Sequence, residues 1–197
     1  MTVKESKNKL RELMLRARRD MSPEEASRED AALVAHATAY IRSLAASETT
    51  IATYAPTAGE PGGRMFLDAL HTQASALLLP ISGPGGQMEW ACYQGDLSMQ
   101  PGQLGIPEPT GPRLGPDALA KCDIVFVPAL GVSPEGYRLG KGGGYYDRAL
   151  ARLAGDGHHP RTVVLLYNGE IRSDTPVEDH DMPVDMVITP TGVREFP

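Results

Sequence analysis

The run Asp123-Ile124-Val125-Phe126-Val127-Pro128-Ala129-Leu130-Gly131 decides the reading of this chain, together with Gly136-Tyr137-Arg138-Leu139-Gly140-Lys141-Gly142-Gly143-Gly144-Tyr145-Tyr146-Asp147-Arg148. Four consecutive apolar residues, Ile124 to Val127, closed by a proline, read as a central strand buried on both faces. Tyr145 to Leu153 reads as a helix. The loop between them is crowded with glycines, which let backbone amides approach an anion, while the following helix turns its positive end toward the same place. Arg138 and Lys141 add charge on either side of Gly140. A phosphate site between a strand and a helix is the expectation, and a plain flexible turn is the competing one.

Outward from this segment, strand and helix signals alternate. Thr50 to Tyr54 is a short strand ended by Pro56 and Gly59, Phe66 to His71 a helix, and Ala76 to Leu79 a buried strand stopped by Pro80. Residues 80–118 are rich in Gly and Pro and should hold a strand at Met88 to Tyr93 and little else that is regular. Thr162 to Tyr167 and Met186 to Thr189 are further strands. At the amino end, Leu10, Leu13, Met14 and Ala17 form one face of an amphipathic helix, with Lys4, Lys7, Arg11 and Arg18 beside it. Ser22-Pro23-Glu24-Glu25 starts a second helix, with Ser22 as cap and Glu25 closing a capping box, running to about Ala46. The expected fold is α/β: one domain over residues 1–197, a mostly parallel sheet flanked by helices in Rossmann-like layers without the dinucleotide fingerprint, residues 1–46 forming two amino-terminal helices.

Composition excludes several classes. Two cysteines, Cys92 and Cys122, without CxxC or Cys/His spacing, make neither a disulfide scaffold nor a zinc finger. No run approaches a membrane span, and MTVKESKNKLRE holds no apolar signal core, so a cytoplasmic protein with no membrane partner is expected. The net charge of −6 argues against a nucleic-acid binder. Residues 1–19 nevertheless carry seven basic and two acidic groups, +5 net, leaving −11 for the rest. That asymmetry suggests a local anion site or a basic arm. Known phosphate motifs do not fit: Glu135 and Gly142 break the Walker pattern, and Tyr145 stands where a dinucleotide loop needs its third glycine. The run around Ser133 lacks the closing glycine of a nucleophile elbow.

The segment YRLGKGGGYYDR resembles the signature of the 5-formyltetrahydrofolate cyclo-ligase family, and other segments resemble that family in the same order. These are Lys7-x-x-Leu10-Arg11, Met21 to Glu25, Tyr54 with Glu60, Gly105-Ile106-Pro107-Glu108-Pro109, Asp123 to Pro128, and His180-Asp181-x-x-Val184-Asp185. Val132-Ser133 stands where family members often carry a Phe-Asp pair. The resemblance implies ATP-dependent closure of 5-formyltetrahydrofolate to 5,10-methenyltetrahydrofolate, with release of ADP and phosphate and a phosphorylated formyl intermediate. It implies ATP and Mg²⁺ as co-substrate and metal, a folate as the small-molecule partner, and a monomer or weak homodimer. A paralogue acting on another formylated or amide-bearing heterocycle, or a non-catalytic nucleotide- or folate-binding regulator, is the alternative.

Roles follow from the same resemblance. Lys7, Asn8, Lys9, Leu10, Arg11, Arg138, Leu139, Gly140, Lys141, Gly142, Gly143, Gly144, Tyr145 and Tyr146 would bind the nucleotide. Arg138, Lys141 and Tyr146 would act in catalysis. Tyr54, Glu60 and Tyr146 would hold the folate, and Asp147 and Asp181 the metal, through hard oxygen ligands. Read without the resemblance, Lys7 and Arg11 are a solvated helix flank, Asp147 a helix-start acid, Asp181 a loop cap, Glu60 a polar turn residue and Tyr146 a core aromatic. His180 reads as a charge-paired surface group, and Trp90 as packing. Gly143 is the glycine where a branched side chain should obstruct phosphate and force a disallowed turn.

Overall fold

The computed structural model describes residues 2–44, 48–102, 105–153 and 159–197. In chain order its elements are α1 (Val3–Asp20), α2 (Pro23–Ser43), β1 (Thr50–Ala52), α3 (Gly63–Gln73), β2 (Ala76–Ser82), β3 (Met88–Cys92), β4 (Met99–Pro101), β5 (Pro107–Pro109), β6 (Ile124–Phe126), β7 (Gly131–Val132), β8 (Arg138–Leu139), α4 (Tyr145–Leu153), β9 (Arg161–Leu165), β10 (Met186–Thr189) and β11 (Gly192–Glu195). Seven strands form one sheet in the order β11-β10-β9-β6-β1-β2-β3. The five inner strands are parallel, and β3 and β11 close the edges antiparallel. The mixed α/β fold with a mostly parallel sheet is the one the sequence implies.

Period-two alternation divides the core. Ile124 and Phe126 of β6 face a cluster built with Leu33, Ala37 and Ile41 of α2 and Phe66, Leu67 and Leu70 of α3. Val125 faces the opposite way, with Leu150 and Leu153 of α4. Both layers therefore press on the same fully buried strand, whose uninterrupted apolar run is what such a position requires. The first helix belongs to neither layer. Its Leu10 and Met14 pack on Leu130 and Leu139, at the β7–β8 hairpin beyond the end of β6. A Cβ on Gly131 would lie 2.7 Å from the Met14 methyl and 2.9 Å from the Glu170 carbonyl oxygen, so glycine is what lets α1 come this close.

Several expectations change. The buried stripe of α1 is Lys7, Leu10, Met14 and Arg18, whereas Leu13 and Ala17 are exposed. The stripe is half ionic because both cations find carboxylate partners, Arg18 the buried Glu170 and Lys7 the partly buried Glu178 and Asp181. In α2 the Ser22 side chain accepts from the Glu25 amide, while the reciprocal capping box occurs instead in α1, between Thr2 and Glu5. Helix α2 ends at Ser43, and the expected end at Ala46 lies outside the described residues. Strand β2 continues through Pro80, which pairs with Trp90 of β3. Pro80 is tolerated because the β1 ladder stops at Leu78, so beyond it the strand has one sheet neighbour. Residues 80–118 hold more than one strand: β4 and β5 form a separate ribbon, and short 3₁₀ turns flank it.

Candidate active site

The parallel strands all deliver loops to their carboxyl ends, where open α/β sheets build sites. From β1 comes the loop with Tyr54 and Glu60; from β6 come the β7–β8 hairpin and the glycine loop; α1 and the loop before β10 enclose them. Glu60 is buried. Its Oε2 accepts from the Thr57 amide at 2.7 Å and the Thr57 hydroxyl at 2.8 Å. Its Oε1 lies 2.7 Å from Lys141 Nζ. The β1 loop and the glycine loop, read as two separate features in the sequence, are thus joined by one ion pair.

The remaining charges pair in the same way. Lys7 Nζ lies 2.8 Å from Glu178 Oε2 and 2.5 Å from Asp181 Oδ2. Arg138 donates through Nη2 to Asp147 Oδ1 at 2.8 Å and through Nη1 to the Met182 carbonyl at 3.2 Å. One guanidinium therefore ties α4 to the segment carrying Asp181. Arg11 donates to the Gly140 carbonyl at 2.9 Å and to Asn8 Oδ1 at 2.7 Å. The hydrogen bond from Lys7 holds the Glu178 carboxyl below its ordinary range. Glu178, His180 and Asp181 present ligand atoms within 4.8 Å of one another, with His180 largely exposed.

Three buried polar atoms stand without a hydrogen-bond partner among the described residues: Arg138 Nε, Tyr146 Oη and Trp90 Nε1. The Trp90 and Tyr146 rings meet edge-on at 6.4 Å, so two of these atoms belong to neighbouring side chains, one on β3 and one in the first turn of α4. An unsatisfied buried polar group costs about 1–3 kcal/mol, and such groups gathered beside a glycine loop fit a ligand rich in acceptors. Burial, and then the Glu60 charge, push the Tyr146 hydroxyl well above its usual range, with Arg138 opposing. Burial and Glu60 do the same to Tyr54, whose hydroxyl donates a long 3.4 Å bond to the Pro61 carbonyl. Both phenols are neutral near pH 7.

In the glycine loop the conformational demand falls on Gly142 (φ +99°) and Gly144 (φ +67°) rather than on Gly143, whose φ is ordinary. A Cβ on Gly143 would press on the Tyr145 ring at 3.0 Å, so the expected disallowed turn belongs to its two neighbours. Arg148, which the sequence singles out only as part of the run, braces this loop. It donates to the Gly143 carbonyl at 3.2 Å and the Gly86 carbonyl at 3.0 Å, and its guanidinium lies over the Tyr145 ring. A Cβ at Gly86 or Gly144 would come 2.8 Å from that guanidinium, so a side chain at either would displace Arg148 and strain a left-handed backbone.

Not every residue expected in the site reaches it by side chain. Leu10 and Leu139 are core residues that seat α1 against β8. Lys9 is exposed, two positions round the helix from buried Lys7, and faces away from it. Tyr54 packs on Phe66. Ser133, where the family often has Asp, caps the β7–β8 turn by accepting from the Glu135 and Tyr137 amides at 3.2 Å. The sequence reading singles out neither Glu178 nor Thr57. Their signal was a three-residue spacing to Asp181 and Glu60, too short a pattern to stand out.

A glycine loop opening onto a helix, basic side chains and paired carboxylates at the carboxyl ends of parallel strands form an open-sheet α/β site of a kind suited to an anionic ligand. The description "5-formyltetrahydrofolate cyclo-ligase family" matches residues 3–190, and the chain belongs to that family. A 5-formyltetrahydrofolate cyclo-ligase of Mycolicibacterium smegmatis is 32% identical over 190 residues, covering 94% of each chain. The solution structure of the 5,10-methenyltetrahydrofolate synthetase of Aquifex aeolicus superposes with a TM-score of 0.75 at 30% identity, covering 96% of this chain and 92% of that one. The corresponding synthetase of Mycoplasma pneumoniae, at 23% identity, shares the fold with a TM-score of 0.73 over 93% of this chain and 98% of that one.

Proposed function

We propose that this enzyme closes 5-formyltetrahydrofolate to 5,10-methenyltetrahydrofolate at the expense of ATP. The observation that carries the reading is the Lys141–Glu60 ion pair, which sets a phosphate-type glycine loop beside a buried carboxylate suited to the donor edge of a pterin. The formyl oxygen attacks the terminal phosphorus and ADP leaves. The folate nitrogen at position 10 then attacks the activated formyl carbon, loses its proton, and phosphate departs as the ring closes. Positioning and charge neutralisation are the protein's main contributions to such a reaction.

Lys7, Arg11, Arg138, Lys141 and the amides of residues 140–145 would face the phosphates. The partnerless Arg138 Nε is the donor best suited to a phosphate oxygen. Tyr146, neutral at physiological pH, would donate its hydroxyl to the reacting formyl group. Glu60 would accept from the pterin, with Tyr54 shaping that wall. Asp147 keeps one carboxylate oxygen outside its ion pair with Arg138, and Asp181 Oδ1 has exposed His180 at 3.9 Å beside it; both carboxylates fit Mg²⁺, which takes one or two carboxylates and retains water. Bound there, the ion would screen phosphate charge. Absorbance of the methenyl product, followed with ATP and Mg²⁺ supplied or withheld, tests the reading. Product should form only with both. Folate binding without ATP consumption would favour a regulator instead.

A further inference from the structure

We propose that Lys141 is a counter-ion shared by the two substrates: without nucleotide it neutralises Glu60, and with nucleotide it turns to the phosphates, so that each substrate strengthens binding of the other. This rests on the cyclo-ligase reading above. The two partners differ in freedom. Glu60 is fixed, being buried, with Oε2 held by both the amide and the hydroxyl of Thr57. Lys141 is half exposed, and among the described residues its ammonium makes one ion pair, at the end of a four-carbon stem between Gly140 and Gly142. Apart from its chain neighbours, no described residue lies within 4 Å of where a Gly140 Cβ would stand, so the start of this loop is open. The other cations are held more firmly. Arg138 is buried and donates to two partners, and Lys7 is buried between two carboxylates. Among the site cations paired with a carboxylate, Lys141 is therefore the one that can change partner at least cost.

The consequence is a linkage. A buried carboxylate that loses its counter-ion is poorly tolerated. When phosphates draw Lys141 away, Glu60 Oε1 is left without its cation and gains more from the amino and ring N–H donors of a pterin. Conversely, a pterin that satisfies Glu60 releases Lys141 to the phosphates. Coupling of this kind must be reciprocal, and typical values amount to about 5- to 150-fold in affinity. Lys141 thus acts on the folate through Glu60, as a positioning residue, besides contacting the nucleotide.

Calorimetry tests this with 5-formyltetrahydrofolate as probe, titrated with and without the β,γ-imido analogue of ATP and Mg²⁺. The analogue should tighten folate binding about fivefold or more. In Lys141→Met, and separately in Glu60→Gln, that enhancement should fall to nearly onefold. Lys141→Arg should keep most of it, and the double variant should lose nothing beyond the singles. Circular dichroism checks that each variant folds. Independent binding of both ligands to the unaltered protein would overturn the shared counter-ion and leave the cyclo-ligase reading standing. Undiminished coupling in Lys141→Met would likewise overturn it. No folate binding under any condition would sink the cyclo-ligase reading and this inference with it.

Discussion

The two ends of α1 use buried cations differently. Near its carboxyl end, Arg18 donates to Glu170 through Nε at 2.7 Å and Nη2 at 2.8 Å, and Nη2 also reaches the Ala129 carbonyl at 2.9 Å. Glu170 also accepts from the Tyr167 amide, and the Arg18 guanidinium lies 5.6 Å from the Tyr167 ring centre. Near the amino end, Lys7 meets its carboxylates with a single ammonium at the rim of the site. A planar fork with every partner fixed is an anchor, whereas a point charge on a flexible stem can exchange partners. One helix thus carries a forked ion pair in the interior and, eleven residues away, a lysine paired with two carboxylates at the rim of the site.

The comparison breaks most sharply at the anchor. Arg18→Met leaves Glu170 buried without its cation, and burial already pushes that carboxyl above its ordinary value. Breaking such a pair costs about 3–5 kcal/mol, so chemical denaturation should show a large loss of stability. Lys7→Met should lose much less, because its partner Glu178 lies nearer solvent than Glu170 does. Equal losses would mean that both ends are structural.

At the other end, Lys7→Ala combined with Arg11→Ala should weaken ATP binding by about 1.5–3 kcal/mol per lost contact while 5-formyltetrahydrofolate affinity changes little. Calorimetry with each ligand decides this. A matched loss for both ligands would return Lys7 to the structural class. Beside it, Asp181→Asn and Asp147→Asn should each raise the Mg²⁺ concentration for half-maximal turnover severalfold, since an amide keeps the shape and loses the charge. An unshifted titration in both variants would remove them from the metal site.

A smaller effect separates the glycines. Gly142→Ala and Gly144→Ala place a side chain in left-handed backbone, which costs about 1–2 kcal/mol, and Gly144→Ala also displaces Arg148. ATP affinity should fall in both, and more than in Gly143→Ala, whose backbone is unstrained. The smallest effect is one of pH. Because the folded-state pKa of Glu178 is depressed below 4.5, its pairing with Lys7 stabilises the fold fully above that value and is lost as pH falls through the depressed one. A denaturation midpoint flat from pH 7 to 5 should therefore decline below about 4.5, and this part of the decline should vanish in Glu178→Gln.

What could be read in advance follows the range of the forces involved. The β6 run announces itself because a strand covered on both faces must be apolar throughout, and α4 begins at Tyr145 as its glycine boundary implies. Edge strand β11 left no such trace, since Val193, Arg194 and Glu195 are all exposed and nothing enforces alternation. The β4–β5 ribbon was hidden by its prolines, which an isolated two-stranded edge tolerates.

The sequence by itself determined the alternation of strands and helices, the buried central strand, the glycine loop before α4, and the excess of positive charge in the first helix, because each depends on residues near one another in the chain. Only the tertiary structure decided which charges meet. Lys7 finds Asp181 across 174 residues, Arg18 finds Glu170 across 152, and Glu60 finds Lys141 on another loop. An ion pair leaves no periodic signature, since Coulomb attraction depends on distance in space and is indifferent to separation along the chain. The parallel sheet supplies that proximity by bringing successive strand ends to a common rim, where the loop carrying Glu60 meets the one carrying Lys141.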